Sequence, residues 1–283
     1  MSDTIAAARA SLATHGRTFA LASLALPADA RDDAAIVYAF CRAADDAIDD
    51  RKDPAELAAM RAELLGHEAP RPLINAFLEI VYRRNVPVGA ALELLDGVGS
   101  DVGAVRIADE AALIRYAHAV AGTVGLMMAP LLGARDPRAA EPAAELGLAM
   151  QLTNIARDVG EDAKNDRVYL PATWLAEEGV LSDFVVSGRA RPDGVHRVVL
   201  RLLDRADVHY RRGEAGLRYL PLRARISIAI ASRVYRAIGG VVRRKGVLAL
   251  QERAVVSPLG RLWHAAQGAI VGLFNGEPTW VTA

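Results

Sequence analysis

Apolar residues recur every three or four positions along most of the chain, and strict apolar/polar alternation is rare. That periodicity predicts amphipathic helices rather than strands. Helices are expected over about 3–25, 32–51, 54–66, 71–84, 87–100, 109–133, 138–164, 194–219, 223–247 and 257–274. Prolines punctuate the gaps, among them Pro27, Pro54, Pro87, Pro137, Pro171, Pro221 and Pro258, each ending or opening a helix because proline fixes φ and lacks an N–H. No low-complexity linker and no fixed-period repeat interrupts the pattern, so the expectation is one all-α domain over 1–283.

Two helices depart from the plain amphipathic pattern. At about 100° per residue, Val37, Cys41, Ala44 and Ile48 form an apolar stripe, and Tyr38, Arg42, Asp45 and Asp49 form the stripe directly beside it. Asp46 and Asp50 lie farther round, toward water. In the helix over 138–164, Gln151, Asn154, Asp158 and Asp162 follow one another at i, i+3, i+7 and i+11, interleaved with Met150, Leu152, Ile155 and Val159. An isolated D-x-x-x-D is ordinarily a solvated helix face. Here the carboxylates border the core, where an unpaired polar group costs about 1–3 kcal/mol. Two such ladders facing each other would suit Mg and a phosphorylated substrate, since Mg takes oxygen ligands and bridges carboxylates to phosphates.

Composition narrows the alternatives. Lys plus Arg equals Asp plus Glu at 34 each, which gives no support to nucleic-acid binding. Aromatics are only 5% of a chain that is 52% hydrophobic. The single cysteine, Cys41, lies on an apolar stripe and reads as a packed thiol in a reducing compartment. The N-terminus has no charged segment followed by an apolar one, so a cytoplasmic location is expected. The apolar run 119–134 contains Pro130 and reads as a buried helix. The apolar segment 262–274 is open to two readings, packing against the domain or peripheral contact with a membrane. Gly97, Gly99 and Gly103 mimic a dinucleotide fingerprint with one residue too many and no preceding strand, which makes a helix-end turn the expectation.

The segments YAFCRAADDAIDD, AVAGTVG, QLTNIARDVGEDAKNDRVYLP and VYRAIGGVVRRKGVLALQERAVVS together resemble the phytoene and squalene synthase family of head-to-head isoprenoid synthases, from His15 to about Ser257. The wording is most similar to the bacterial phytoene synthases. The resemblance implies the all-α isoprenoid synthase fold, a helical bundle around a deep apolar cavity. It implies Mg, with Mn as a substitute, at Asp45, Asp49, Asn154, Asp158 and Asp162. Positions near the diphosphates would be His15, Arg17, Thr18, Arg42 and Arg157, with Gln151 and Asn154 as the polar pair preceding the second motif and Arg253 as the late cation before the apolar tail, also binding substrate. Tyr38, Phe19, Tyr116 and Tyr235 match aromatics along the cavity, with Ala121 and Gly125 making room for a prenyl chain or for close helix packing. Asp166 stands where the family has Gly, and Gly16 where a Ser is common.

What the resemblance implies for function is Mg-dependent joining of two geranylgeranyl diphosphates through a cyclopropylcarbinyl diphosphate to phytoene, with no redox cofactor. The alternatives are squalene, presqualene, hydroxysqualene or dehydrosqualene synthesis from farnesyl diphosphate, and a catalytically idle binder of prenyl diphosphates. Chain length has its own expectation. Ten residues of helix at 1.5 Å rise place Ala35 about 15 Å from Asp45, so Ser23, Ala34 and Ala35 are open to two readings, the floor of a tunnel for a twenty-carbon tail or tight helix–helix packing.

Overall fold

A computed structural model describes residues 2–274. The expected domain over 1–283 extends into Met1 and 275–283, which lie outside the described residues. Helix α1 (Ser2–His15) and helix α2 (Arg17–Ser23) replace the single helix expected over 3–25. They part at Gly16, where a Cβ would lie 3.0 Å from the Tyr38 ring. Helix α3 (Ala28–Asp49) begins earlier than the apolar pattern suggested. Its polar first turns are anchored to α5 (Pro72–Arg84) instead of facing water. Asp33 is buried and takes Arg83 Nη2 at 2.7 Å and Arg84 Nε at 2.8 Å. Between them lies α4 (Pro54–Leu64), capped by the Asp53 side chain, and after them α6 (Val88–Gly99).

Beyond α6 a two-residue strand β1 (Val105–Arg106) pairs in parallel with β2 (Arg167–Val168), a bridge too short to leave a periodicity. Helix α7 (Glu110–Ala117), a π-helical turn (His118–Gly122) and α8 (Thr123–Leu131) succeed one another over the span expected as one helix. Helix α9 (Ala140–Lys164) carries the second aspartate ladder. The short helices α10 (Ala172–Glu177) and α11 (Ser182–Val186) fall where no element was expected. The chain then builds α12 (Pro192–Glu214), α13 (Leu222–Lys245) and α14 (Pro258–Phe274).

One apolar core lies around α3, α5 and α6, where the Phe40 and Phe77 rings stack with centroids 4.3 Å apart. Another lies between α9 and α12, where the buried Tyr210 hydroxyl meets Thr153 Oγ1 at 3.1 Å. Ile228 of α13 packs against both. Helices α8 and α9 cross at very close range. A Cβ on Gly125 would stand 2.0 Å from the Ala143 carbonyl oxygen, and one on Gly147 would stand 2.1 Å from that of Ala121. The span Glu110–Leu131 is long and apolar enough to cross a membrane by length and composition. In the fold it packs against α6 and α9 and turns Val120, Val124 and Met128 to an internal cavity.

The glycine-rich decoy resolves as expected. Gly97 and Gly99 lie in the last turn of α6, and Gly103 takes a left-handed φ of +84° in the turn that follows.

The α8–α9 crossing yields a direct test. Gly125→Ala should lower unfolding free energy by about 1–3 kcal/mol, because neither backbone can yield to the added methyl. Gly89→Ala, with nothing within 4 Å, should be neutral or slightly stabilising. Urea denaturation of both variants reads the difference.

Candidate active site

A cavity of about 460 Å³ runs between α2, α3, α8, α9 and α13. Helix α3 lines it with Ala34, Val37, Tyr38, Cys41, Arg42 and Asp45, steps of three and one that keep a single helix face inward. Leu26, Leu132 and Leu220 close the apolar end. Phe19 sits near the middle of an aromatic group, its ring centroid 6.4 Å from Tyr38 and 5.2 Å from Tyr235.

The polar end gathers both aspartate ladders. Asp45 is half-buried beside Tyr38 and Arg42, and desolvation, followed by the negative charge of Asp49, pushes its carboxyl up to about 7. Burial, then Asp158 and Glu161, pushes Asp162 up to about 8. The other member of each ladder is held by arginine. Arg167 Nη1 lies 2.6 Å from Asp49 Oδ1. Arg157 Nε donates to Asp158 Oδ1 at 2.8 Å, and Arg253 Nε approaches the same oxygen at 3.1 Å. Arg42 turns to Asp46 and Asp50 on the outer face of α3. Asn154 donates to Gln151 Oε1 at 3.3 Å, and its own Oδ1 is buried without a donor.

Most residues expected at the site meet here. His15, Phe19 and Ser23 reach the cavity from the first two helices, and Tyr38, Arg42 and Asp45 from α3. Ala121 and Gly125 border it on the far side. Gln151, Asn154, Arg157, Tyr235 and Arg253 complete the polar half. Asp49, Asp158 and Asp162 stand just outside the lining, tied to it through their arginine and aspartate neighbours.

Besides those three aspartates, four more expected positions do not line the cavity. Arg17 is exposed, and Thr18 lies off the wall. Tyr116, one turn before Val120, stacks on Tyr169 with centroids 4.8 Å apart and donates its hydroxyl to Asp101 at 2.7 Å. Ala35 is fully buried in the helical core. Ten residues before Asp45 is about 80° off its face, whereas eleven is within about 20°, and accordingly Ala34 is the residue on the wall.

The structure also brings in groups the sequence reading did not single out. Asp101, between Gly99 and Gly103 of the glycine-rich turn, accepts from the Tyr116 hydroxyl at 2.7 Å and from the Tyr169 hydroxyl at 2.8 Å. Its backbone oxygen accepts from Arg167 Nη2 at 3.0 Å. Asp101 therefore fixes the arginine that holds Asp49. Asp166, at the position where Gly was expected, takes a left-handed φ of 58° and pairs with Arg106 at 2.6 Å.

Comparison with known proteins agrees with this geometry. The family model described as squalene/phytoene synthase matches residues 12–260. The chain is 36% identical to a 15-cis-phytoene synthase of Paracoccus sp., covering 96% of this chain and 95% of that one. It is 41% identical to a phytoene synthase of Thermus thermophilus, over 94% and 93% of the two chains. Among solved structures, a dehydrosqualene synthase in complex with ligand is similar with a TM-score of 0.86 at 27% identity, covering 94% of this chain and 95% of that one.

Among the described residues no three carboxylates, imidazoles or thiols converge closely enough to hold a metal ion by themselves. The oxygen donors nevertheless suit a hard divalent cation that takes the rest of its ligands from a phosphate. Asp45 and Asp162 are half-buried carboxyls in no ion pair among the described residues, and Asn154 Oδ1 lacks a donor.

The raised carboxyls fix a pH dependence. A carboxyl protonated in both states costs the fold nothing, and one forced to ionise in place destabilises it. Stability of the metal-free protein should therefore fall as pH rises from the ordinary aspartate value of 3.8 through the folded values of about 7 and about 8. Asp45→Asn should flatten the lower part of that fall, and added Mg should restore stability at alkaline pH. Thermal melts across pH check all three outcomes.

Proposed function

Because the chain belongs to the squalene/phytoene synthase family, we propose that it condenses two geranylgeranyl diphosphates head to head to give phytoene. The observation that carries this reading is the two-ended cavity, apolar and aromatic along its length, with Asp45, Arg42, Arg157 and Arg253 on its wall and the rest of the two aspartate ladders just beyond them. A diphosphate belongs at the polar end and a prenyl chain along the apolar wall. Curated relatives of similar length are named phytoene synthases, which favours the twenty-carbon substrate.

Asp45, Asp49, Asn154, Asp158 and Asp162 would hold Mg. When bound, it neutralises the diphosphate as the allylic carbon–oxygen bond breaks. The chain's own residues supply the rest. Arg157 and Arg253 stand at the cavity wall, with His15 nearby, and bring positive charge to the leaving group. Binding there exchanges their carboxylate partner for phosphate oxygens, which guanidinium forks grip well. Phe19, Tyr38 and Tyr235 present ring faces to the prenyl cation, each worth about 0.5–2 kcal/mol through cation–π attraction. Burial pushes the Tyr38 hydroxyl up to about 12, so it stays protonated and a poor nucleophile toward that cation. The apolar wall excludes water that would otherwise quench it.

The first half-reaction releases one diphosphate, attaches the resulting prenyl cation to the double bond of the second substrate and loses a proton as the three-membered ring closes, giving a cyclopropylcarbinyl diphosphate. The second ionises that diphosphate, rearranges the carbon skeleton and ends with loss of a proton, so electrons balance without NADPH. Purified protein given geranylgeranyl diphosphate and Mg should form phytoene at the same rate with and without NADPH. A product made only from farnesyl diphosphate, or only with NADPH, moves the assignment to squalene-type synthesis. Absence of turnover with both substrates would leave a prenyl-diphosphate binder.

The apolar end should set chain length. Ala34 lies about 16 Å along α3 from Asp45 at 1.5 Å per residue, and both Ala34 and Ser23 line the wall. Ala34→Trp and Ser23→Phe should each shift preference from geranylgeranyl toward farnesyl diphosphate, at a stability cost of about 1–3 kcal/mol from overpacking. Competition assays on folded variants decide it, and an unchanged ratio in both places the tail elsewhere.

A further inference from the structure

Helix α14 is packed the wrong way round for a helix that serves only to cover a core. Its glycine face is the one turned inward. A Cβ on Gly268 would stand 2.6 Å from Ile230 Cα, and one on Gly272 would stand 2.6 Å from Ile226 Cα. Arg225 Nε donates to the Gly272 carbonyl at 2.7 Å and pins the crossing. At about 100° per residue, the opposite face gathers Leu259, Leu262, Trp263, Ile270, Leu273 and Phe274 into an arc of about 120°. All six are exposed, Leu259 by 80%, Trp263 by 64% and Phe274 by 82%. No charged residue falls within that arc; Arg261 and His264 lie outside it. Soluble domains bury such a stripe, and a continuous exposed one marks a surface that meets something apolar.

Charge identifies what it meets. From Leu222 to Phe274 the chain carries nine Lys and Arg residues and one acidic residue, Glu252, although the whole protein is balanced at 34 of each sign. Several of these cations are not neutralised by carboxylates. Arg223 and Arg225 donate to backbone carbonyls, and Arg244 and Arg261 form no ion pair among the described residues. A two-fold contact with a second copy would press this basic segment against itself, since such an interface uses the same patch on both subunits. A bilayer with anionic headgroups satisfies both features at once, taking the apolar arc at headgroup depth and the cations at its surface.

We infer that α14, with the basic end and flank of α13, docks this protein on an anionic membrane surface. The inference stands on the stripe and the charge, and it deepens the proposed reading. Helix α13 turns Ser227, Ala231 and Tyr235 to the cavity and its other side to α14, so a cavity suited to prenyl chains would lie one helix from the membrane that dissolves them.

Flotation of the full chain with vesicles tests the docking without using turnover, so it can fail while the proposed activity stands, and the reverse. The protein should float with phosphatidylcholine vesicles containing phosphatidylglycerol, less so as salt rises, and poorly with phosphatidylcholine alone. The double variant Trp263→Glu, Ile270→Glu should lose at least about tenfold in partitioning, with an unchanged circular-dichroism melt. Arg244→Gln with Arg261→Gln should weaken binding and flatten its salt dependence. No flotation of the wild type, or equal flotation of the Trp263 and Ile270 variant, overturns the inference. A concentration-dependent dimer abolished by that same variant also overturns it, giving the face to a second copy.

Discussion

Holding carboxylates out of water at one end of an apolar cavity is the constraint around which the polar half of this protein is arranged. Each ladder meets it in the same divided way. Asp49 and Asp158 are gripped by arginines at 2.6 and 2.8 Å. Asp45 and Asp162 have no such partner and are pushed up by burial. A fully paired site would leave little for a cation or a diphosphate to gain. A fully unpaired one would crowd like charges at the edge of the core, where screening is weaker than in water and mutual repulsion grows. The mixed arrangement keeps the fold stable while leaving two half-buried carboxyls that gain by meeting a divalent cation.

That arrangement depends on groups far from one another in sequence. Arg167 can hold Asp49 because the Asp101 carbonyl takes its other arm at 3.0 Å, and Asp101 is in turn held by the Tyr116 and Tyr169 hydroxyls. Burial raises the Asp101 carboxyl in spite of those two donors. The short parallel pairing of β1 with β2 brings residues 105–106 beside residues 167–168, and so delivers Arg167 and Tyr169 to the end of the cavity. A two-residue bridge is negligible as a sheet, but it fixes the register of a loop that carries site chemistry.

Helix α3 links this polar end to the apolar one. Its cavity face runs from Ala34 to Asp45, and its first turns are fastened to α5 through Asp33, Arg83 and Arg84. Across the cavity the close contact of α8 with α9 at Gly125 and Gly147 sets how near the opposite wall can come. Gly125 thus carries both roles its sequence context allowed, bordering the cavity and permitting helix packing. Larger side chains there would force the helices apart and change the cavity's width together with the protein's stability.

How much of this was legible in the sequence follows from what helical periodicity encodes. A helix records its own angular order, so the stripe pairing Tyr38, Arg42 and Asp45 beside Val37 and Cys41 was readable, and so was the run from Gln151 to Asp162. It does not record which neighbour faces a given stripe. Tyr116 lies on the right helix but past the lining, and a buried carboxylate from another segment takes its hydroxyl; nothing in the spacing of 109–133 signals that partner. The break at Gly16 was hidden for a similar reason, because the group it accommodates, the Tyr38 ring, is tertiary. Ala35 shows the limit from the other side. Rise along a helix is forgiving, since one residue shifts depth by only about 1.5 Å. Direction is not, since the same residue turns the side chain by about 100°. A depth argument can therefore name the correct turn of α3 and still choose the residue that faces the core instead of the cavity.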